Sequence, residues 1–139
     1  MAQFDAKKFG TYIAVPFTLT NATTGESDTD LAYGGIAANF VAPAAGSIVG
    51  VSASCLAITA GTITLRTHSA GTEFAQSGYP APVLSSTADT NGTYASVGEG
   101  AITFAAGDTL GISASSTTTL DPTNTVDVTA TLFIKLDPS

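Results

Sequence analysis

At 139 residues the chain is long enough for one domain of ordinary size and for a core that needs no covalent staple. Four basic residues against eleven acidic ones give a formal net charge of −7, which argues against nucleic acid as a partner because phosphate binding needs clustered cations. A single Cys and a single His exclude both an intrachain disulfide and a thiolate zinc site.

Only 11% of the residues are charged, yet 44% are hydrophobic and they are patterned, so the chain is not of the disordered kind. Ser, Thr, Ala and Gly take the places that Lys and Glu usually hold on a surface. That is the habit of β-proteins whose outer faces make close contacts. No run approaches the ~20 apolar residues of a membrane span, and MAQFDAKKFG lacks the apolar core of a secretory signal. No membrane partner is expected, and a site of action outside a cell would be reached by lysis or assembly. The sequons at Asn21 and Asn91 carry little weight without a signal.

In chain order, residues 1–10 form an N-terminal arm with Lys7 and Lys8 between Phe4 and Phe9. This is either a solubilised terminus or a docking arm with aromatic anchors, and these four residues are the candidate partner contacts. Residues 11–139 are expected to be one β-sandwich domain. Ile13, Val15, Phe17 and Leu19 alternate with small or polar neighbours, and Pro16 marks an edge or a bulge. In the loop that follows, Glu26, Asp28 and Asp30 stand at alternate positions. Spaced carboxylates can collect Ca²⁺, but nothing else of an EF-hand is present and a solvated acidic loop is the simpler reading. The DTNG at 89–92 is first of all a turn.

A short strand over Ala38, Phe40 and Ala42 is followed by AAGSIVGVSASCLAITAGTITLRTHSAG. Here Val49, Val51, Ala53 and Cys55 alternate with Gly50, Ser52 and Ser54, which places Cys55 on the apolar face as inert filling. His68 falls at the end of the Ile63–Leu65 strand in solvent phase, as a surface or interface residue beside Arg66. No G-x-S-x-G elbow accompanies it, so hydrolase chemistry has no support. Without Trp, a sugar-cleaving cleft is also poorly supplied. Further on, a strand is expected near Thr93–Val97, and Ile102 with Phe104 pairs with Leu110 and Ile112 around AAGD. The last element, VDVTATLFIKL, has Val128, Ala130, Leu132 and Ile134 on one face, and should run through the middle of a sheet, with Phe133 touching something on the other side. Ala-Gly at 45–46, 60–61, 70–71 and 106–107 punctuates the strands with reversals. Short strands at this spacing predict an all-β antiparallel β-sandwich of jelly-roll type with about eight strands.

Two segments carry a family likeness. FVAPAAGSIVG (40–50) and FAAGDTLG (104–111) resemble turn and strand motifs of jelly-roll structural proteins of tailed bacteriophages, especially capsid decoration (cement) and head-fibre-like proteins. The AGD turn is also similar to one in tumour-necrosis-factor-like jelly rolls, which form trimers. The resemblance implies a virion protein without catalysis or cofactor. It would bind the major capsid protein and its own copies, as a homotrimer, on the capsid exterior after synthesis in the host cytoplasm. A receptor- or glycan-binding head fibre or tail-fibre tip is the alternative it leaves open.

Overall fold

The computed structural model describes residues 11–22, 24–26, 29–33, 39–55, 58–69, 72–74, 82–85, 92–96, 100–121 and 126–138. Residues 1–10, with Phe4, Lys7, Lys8 and Phe9, lie outside them, as do Asp28, Asn91 and the Ala-Gly at 70–71. Every element among the described residues is a strand: β1 Thr11–Ala22, β2 Thr29–Asp30, β3 Phe40–Val41, β4 Gly46–Cys55, β5 Thr62–Ser69, β6 Thr72–Phe74, β7 Val83–Ser85, β8 Gly92–Ser96, β9 Thr103–Phe104, β10 Thr109–Ser116 and β11 Val126–Leu136.

The strands form two antiparallel sheets. One has the order β1-β11-β4-β8, with β9 continuing β8 along β4; the other has β2-β10-β5-β6, with β3 continuing β2 along β10 and β7 continuing β6 along β5. When each interrupted pair is counted as one strand, the eleven segments become eight. Their connectivity is that of a jelly roll, four strands in each sheet with every long connection crossing between sheets.

The long strand β11 lies between β1 and β4, as its pattern requires. Val128, Ala130, Leu132 and Ile134 are buried against Val15, Phe17, Val51 and Ala53 of the same sheet and Leu65, Leu110 and Ile112 of the other. Alternation at period two thus delivers one apolar face per sheet to a shared core.

Strand β4 departs from the expected phase. Phe133 pairs with Gly50 but the next residue, Ile134, pairs with Ile48, so Val49 is an extra residue in the ladder. This β-bulge switches the alternation. Ile48 is fully buried while Val49 is only half-buried, and the core face resumes at Val51 and Ala53.

The expected hairpin around AAGD is instead a corner between sheets. Phe104 belongs to β9, on β4, whereas Leu110 belongs to β10, on β3 and β5. A tight turn makes the crossing. Asp108 donates its N–H to the Ala105 carbonyl (3.1 Å) and accepts the Ala105 N–H on its carboxylate (2.9 Å), with Gly107 at φ +88°. Gly61, at φ +78°, makes a second such turn, and its missing side chain leaves room for the Leu120 backbone. Gly46 serves otherwise: it is a strand residue packed beneath the Lys135 carbonyl.

Strand β1 is an edge. Thr18 exchanges both backbone hydrogen bonds with Ala32, away from β11, so the backbone groups of residue 16 also face outward. Pro16 therefore places its missing donor on the open side, where it does not interrupt the ladder.

Thr67 is a core-facing residue of β5, fully buried, and its hydroxyl has no hydrogen-bond partner. Thr67→Val removes a desolvated hydroxyl at nearly constant shape, and is expected to raise the unfolding free energy by about 1 kcal/mol in urea titration. A loss of stability of that size would show that the hydroxyl is satisfied.

Candidate functional site

Three places concentrate polar or exposed aromatic groups. The first is the outer face of the β1-β11-β4-β8 sheet. Cross-strand register fixes its rows: Tyr12 beside Lys135, then Ala14, Phe133, Gly50 and Ser96, then Pro16, Thr131, Ser52 and Tyr94, then Thr18, Thr129 and Ser54. Small side chains leave the surface low, so the aromatics stand out. Tyr12 is 67% exposed and Tyr94 59% exposed. Tyr94 lies over Gly50, where any side chain would strike its ring, and meets Phe133 edge-on with centroids 5.9 Å apart. Phe133, the residue that broke the polar face in the sequence, is thereby half-covered. The Lys135 ammonium stands 5.8 Å from the Tyr12 ring centroid, within cation–π range.

The second place lies on the outer face of the other sheet. Gly111 of β10 has no side chain, and the His68 imidazole and the Asn39 amide oxygen occupy the space a Cβ would need. His68 reaches across β10 toward β2, where its Nε2 stands 3.4 Å from Asp30 Oδ1. Nε2 is nevertheless without a hydrogen-bond partner, so the contact is an ion pair when the imidazole is protonated and not a directed bond. The sequence predicted a surface or interface histidine in solvent phase. In fact the residue is only 8% exposed, because a glycine in the neighbouring strand lets the ring lie down on the sheet. Arg66 and Ser113, side by side in the ladder, complete this face.

The two described acids of the 26–30 loop, Glu26 and Asp30, do not converge. Glu26 is bound to β10: its N–H donates to Ser116 Oγ (2.7 Å), its carbonyl accepts the Ser116 N–H (3.0 Å) and its carboxylate accepts from Thr29 Oγ1. Asp30 faces His68 instead. A Ca²⁺ ion would need six to eight oxygens in one place, and the described part of this loop turns its two carboxylates to different partners.

The third place is a depression of about 320 Å³ lined by Ser54, Cys55, Asp127 and Thr129. Ser54 and Thr129 share a hydrogen bond of 2.9 Å, and Asp127 accepts the Asn21 N–H at 3.0 Å. Cys55 is half-buried at the edge of the core, a position less enclosed than its phase suggested. Burial pushes its thiol above the ordinary value, which lowers the thiolate fraction at neutral pH. That is the wrong direction for a nucleophile, and the nearby carboxylate is engaged by backbone.

No protein-family model matches the chain, and no curated protein is significantly similar to it. Solved structures are. One chain of the cyanophage Pam1 capsid asymmetric unit superposes with a TM-score of 0.53 at 17% identity, covering 91% of this chain and 86% of that one. A chain of the Israeli acute paralysis virus particle gives a TM-score of 0.51 at 12% identity, covering 100% and 79%. A chain of the acid-stable capsid of Helicobacter pylori bacteriophage KHP30 gives 0.49 at 12% identity, covering 92% and 89%. At these identities the Pam1 and paralysis-virus likenesses establish the fold: this chain is a jelly roll of the kind found in viral capsids.

Two outcomes test this description. Gly111→Ala drives a methyl group into His68 and Asn39, and is expected to cost about 1–3 kcal/mol in chemical denaturation. Cys55 should react more slowly with iodoacetamide in the native chain than in urea at pH 8, with the native rate still climbing at a pH where the unfolded rate has levelled. Equal rates in both states would place the thiol in open solvent.

Proposed function

We propose that this chain is a non-enzymatic structural protein of a virus particle, a bacteriophage decoration protein that binds the outside of the assembled capsid and stabilises it. The observation that carries this reading is the whole-length likeness of its jelly roll to chains from viral capsids, above all the Pam1 chain, which is of nearly the same extent. Three properties of the molecule support it. The broad sheet face is almost uncharged and carries exposed aromatics. Burial biases the one thiol toward its neutral, less reactive form. The short side chains of the strands lose little rotamer entropy on contact.

In this role the partners are the major capsid protein and further copies of the chain, as a homotrimer on the capsid exterior. Each copy contributes a modest contact, and an oligomer that touches several capsid subunits multiplies weak contacts through effective concentration. A ligand that binds only the finished shell stabilises it by mass action. The N-terminal arm, with Phe4, Lys7, Lys8 and Phe9, is the proposed docking element: two cations and two aromatic anchors on an otherwise acidic chain.

A receptor- or glycan-binding module of the virion is the second reading, favoured by the exposed rings of Tyr12 and Tyr94, on which a sugar face can stack. Copy number separates the two. Added to emptied, expanded capsids of the virus that encodes it, the purified chain should saturate at a stoichiometry fixed by the lattice, and binding to host cells or polysaccharide should be negligible. Removal of residues 1–10 should leave the sandwich folded and weaken shell binding by about tenfold or more. Full occupancy by the truncated chain would refute the docking arm, and failure of the intact chain to bind shells would refute decoration.

A further inference from the structure

We propose that the outer face of the β1-β11-β4-β8 sheet is a two-fold interface between copies of this chain, with the axis crossing the strands at Thr131.

The charge pattern selects the partner. Within the strands of this face the charged side chains are Lys135 at one end of β11 and Asp127 at the other. Asp137, exposed just past the end of β11, adds one acid beside Lys135, so the face is close to neutral on a chain of net charge −7. A second copy carries the same excess of acid, and this nearly neutral face lets it approach with little repulsion. A basic partner would gain little here and would be drawn to the acidic remainder of the surface.

The pattern also selects the geometry. Lys135 and Asp127 are equally spaced about Thr131, about 14 Å to either side at strand rise. A two-fold axis in the sheet plane, perpendicular to β11, lays β11 on its symmetry mate in the reverse direction. Lys135 of each copy then stands over Asp127 of the other, giving two ion pairs per dimer. An axis parallel to the strands would set β11 over β4 and place no opposite charge of the second copy opposite Lys135 or Asp127. Face-packed sheets sit about 10 Å apart with strands some 30° out of line, which displaces the pair sideways by about 7 Å. The long stem of Lys135 spans that offset.

The same operation brings Tyr94 onto its own symmetry mate, because Tyr94 shares the Thr131 row through Ser52. Two large amphipathic rings, exposed in the single chain, thus meet on the axis at the β8 margin of the contact and are covered there. Four strands over the span from Asp127 to Lys135 offer about 500 Å² per copy, or about 1,000 Å² in all, at the lower limit for a specific interface. The dimer is therefore weak in solution and becomes significant where copies are held at high local concentration. Pairing through this face does not depend on a role in a virion, so failure to bind capsids leaves it standing.

Sedimentation velocity on the full chain, from about 1 to 500 μM, tests the proposal, since interfaces of this size give micromolar or weaker dissociation constants. The expected result in free solution, away from the shell on which the trimer is proposed to assemble through other contacts, is a reversible monomer–dimer equilibrium, abolished by Tyr94→Glu. Lys135→Glu and Asp127→Lys should each weaken the dimer by about tenfold or more, because each places like charges together twice. The double variant K135E/D127K should recover most of the affinity, and thermal melts establish that each variant is folded. A chain that stays monomeric up to the highest concentration overturns the proposal. So does an oligomer indifferent to Tyr94→Glu, or a double variant no better than its parents. Loss of shell binding by Tyr94→Glu in a chain that is monomeric throughout would assign the face to the capsid protein instead.

Discussion

A β-sandwich has four sheet edges, and each is a row of backbone donors and acceptors that must be paired, covered or broken. The architecture of this chain follows from how those edges are closed. The strands at three of them occur in two pieces: β2 with β3, β6 with β7, and β8 with β9. A broken edge offers no long template to a stray strand. The fourth edge, β1, is a single strand of twelve residues, bulged between Leu19 and Ala22, and is treated differently. Pro16 deletes an outward donor, and residues 31–32 cover the far part. Those two residues also join the sheets. Leu31 donates its N–H to Ile112 in one sheet and Ala32 exchanges bonds with Thr18 in the other, while Tyr33 packs tilted against Phe17 and edge-on to Phe40 at the edge of the core.

With the edges closed, the faces become the available contact surfaces, and the two faces are unlike. On the β10 side, His68 lies flat over Gly111 and reaches Asp30, so polar groups are drawn into the surface. On the β11 side, Gly50 plays the opposite part: it supports the Tyr94 ring, which stays exposed. One glycine hides a titratable side chain and the other displays an aromatic one. In both cases the deciding feature is the absence of a Cβ in the strand next door.

This explains what could and could not be read from the sequence. Strands such as β1, β5 and β11 were legible because period-two alternation is a property of a single strand, set by which face meets the core. The jelly-roll class followed from their number and spacing. What escaped depended on pairing between strands distant in sequence. The bulge at Val49 exists only relative to Phe133 and Ile134, so the run Val49, Val51, Ala53 looked continuous. The burial of His68 depends on Gly111, forty-three positions away. The AAGD turn has the residues of a hairpin, and nothing local distinguishes a hairpin from a corner that changes sheets. Of the broken edge strands, β3, β8 and β9 fall on the short strands expected over Ala38–Ala42, near Thr93–Val97 and at Ile102–Phe104, whereas β2, β6 and β7 fell in stretches without an assigned strand, because two or three residues cannot establish a period. The exposed aromatic face had a visible trace in Phe133, which interrupted the polar side of β11, but its companions Tyr12 and Tyr94 gather there only through the register.

The distribution of chemistry among the described residues fits the proposed adhesive role. Catalysis needs groups whose protonation is tuned for proton or nucleophile work and which converge on one point. Among the described residues the groups that could react are kept apart by the sheets. Cys55 is at the edge of the core with its thiol biased toward the neutral form, Glu26 is tied to β10, and Asp127 and Asp108 each accept a backbone N–H. Carboxylates used to fasten turns are structural parts. What the β1-β11-β4-β8 face offers the solvent is a low surface of Ser, Thr, Ala and Pro with a few raised rings. Such a surface has little ability to polarise a bond, but it loses little conformational entropy when another flat surface is laid on it. The scarcity of charge that marked the sequence is thus the same property that makes the sheet face suited to close contact.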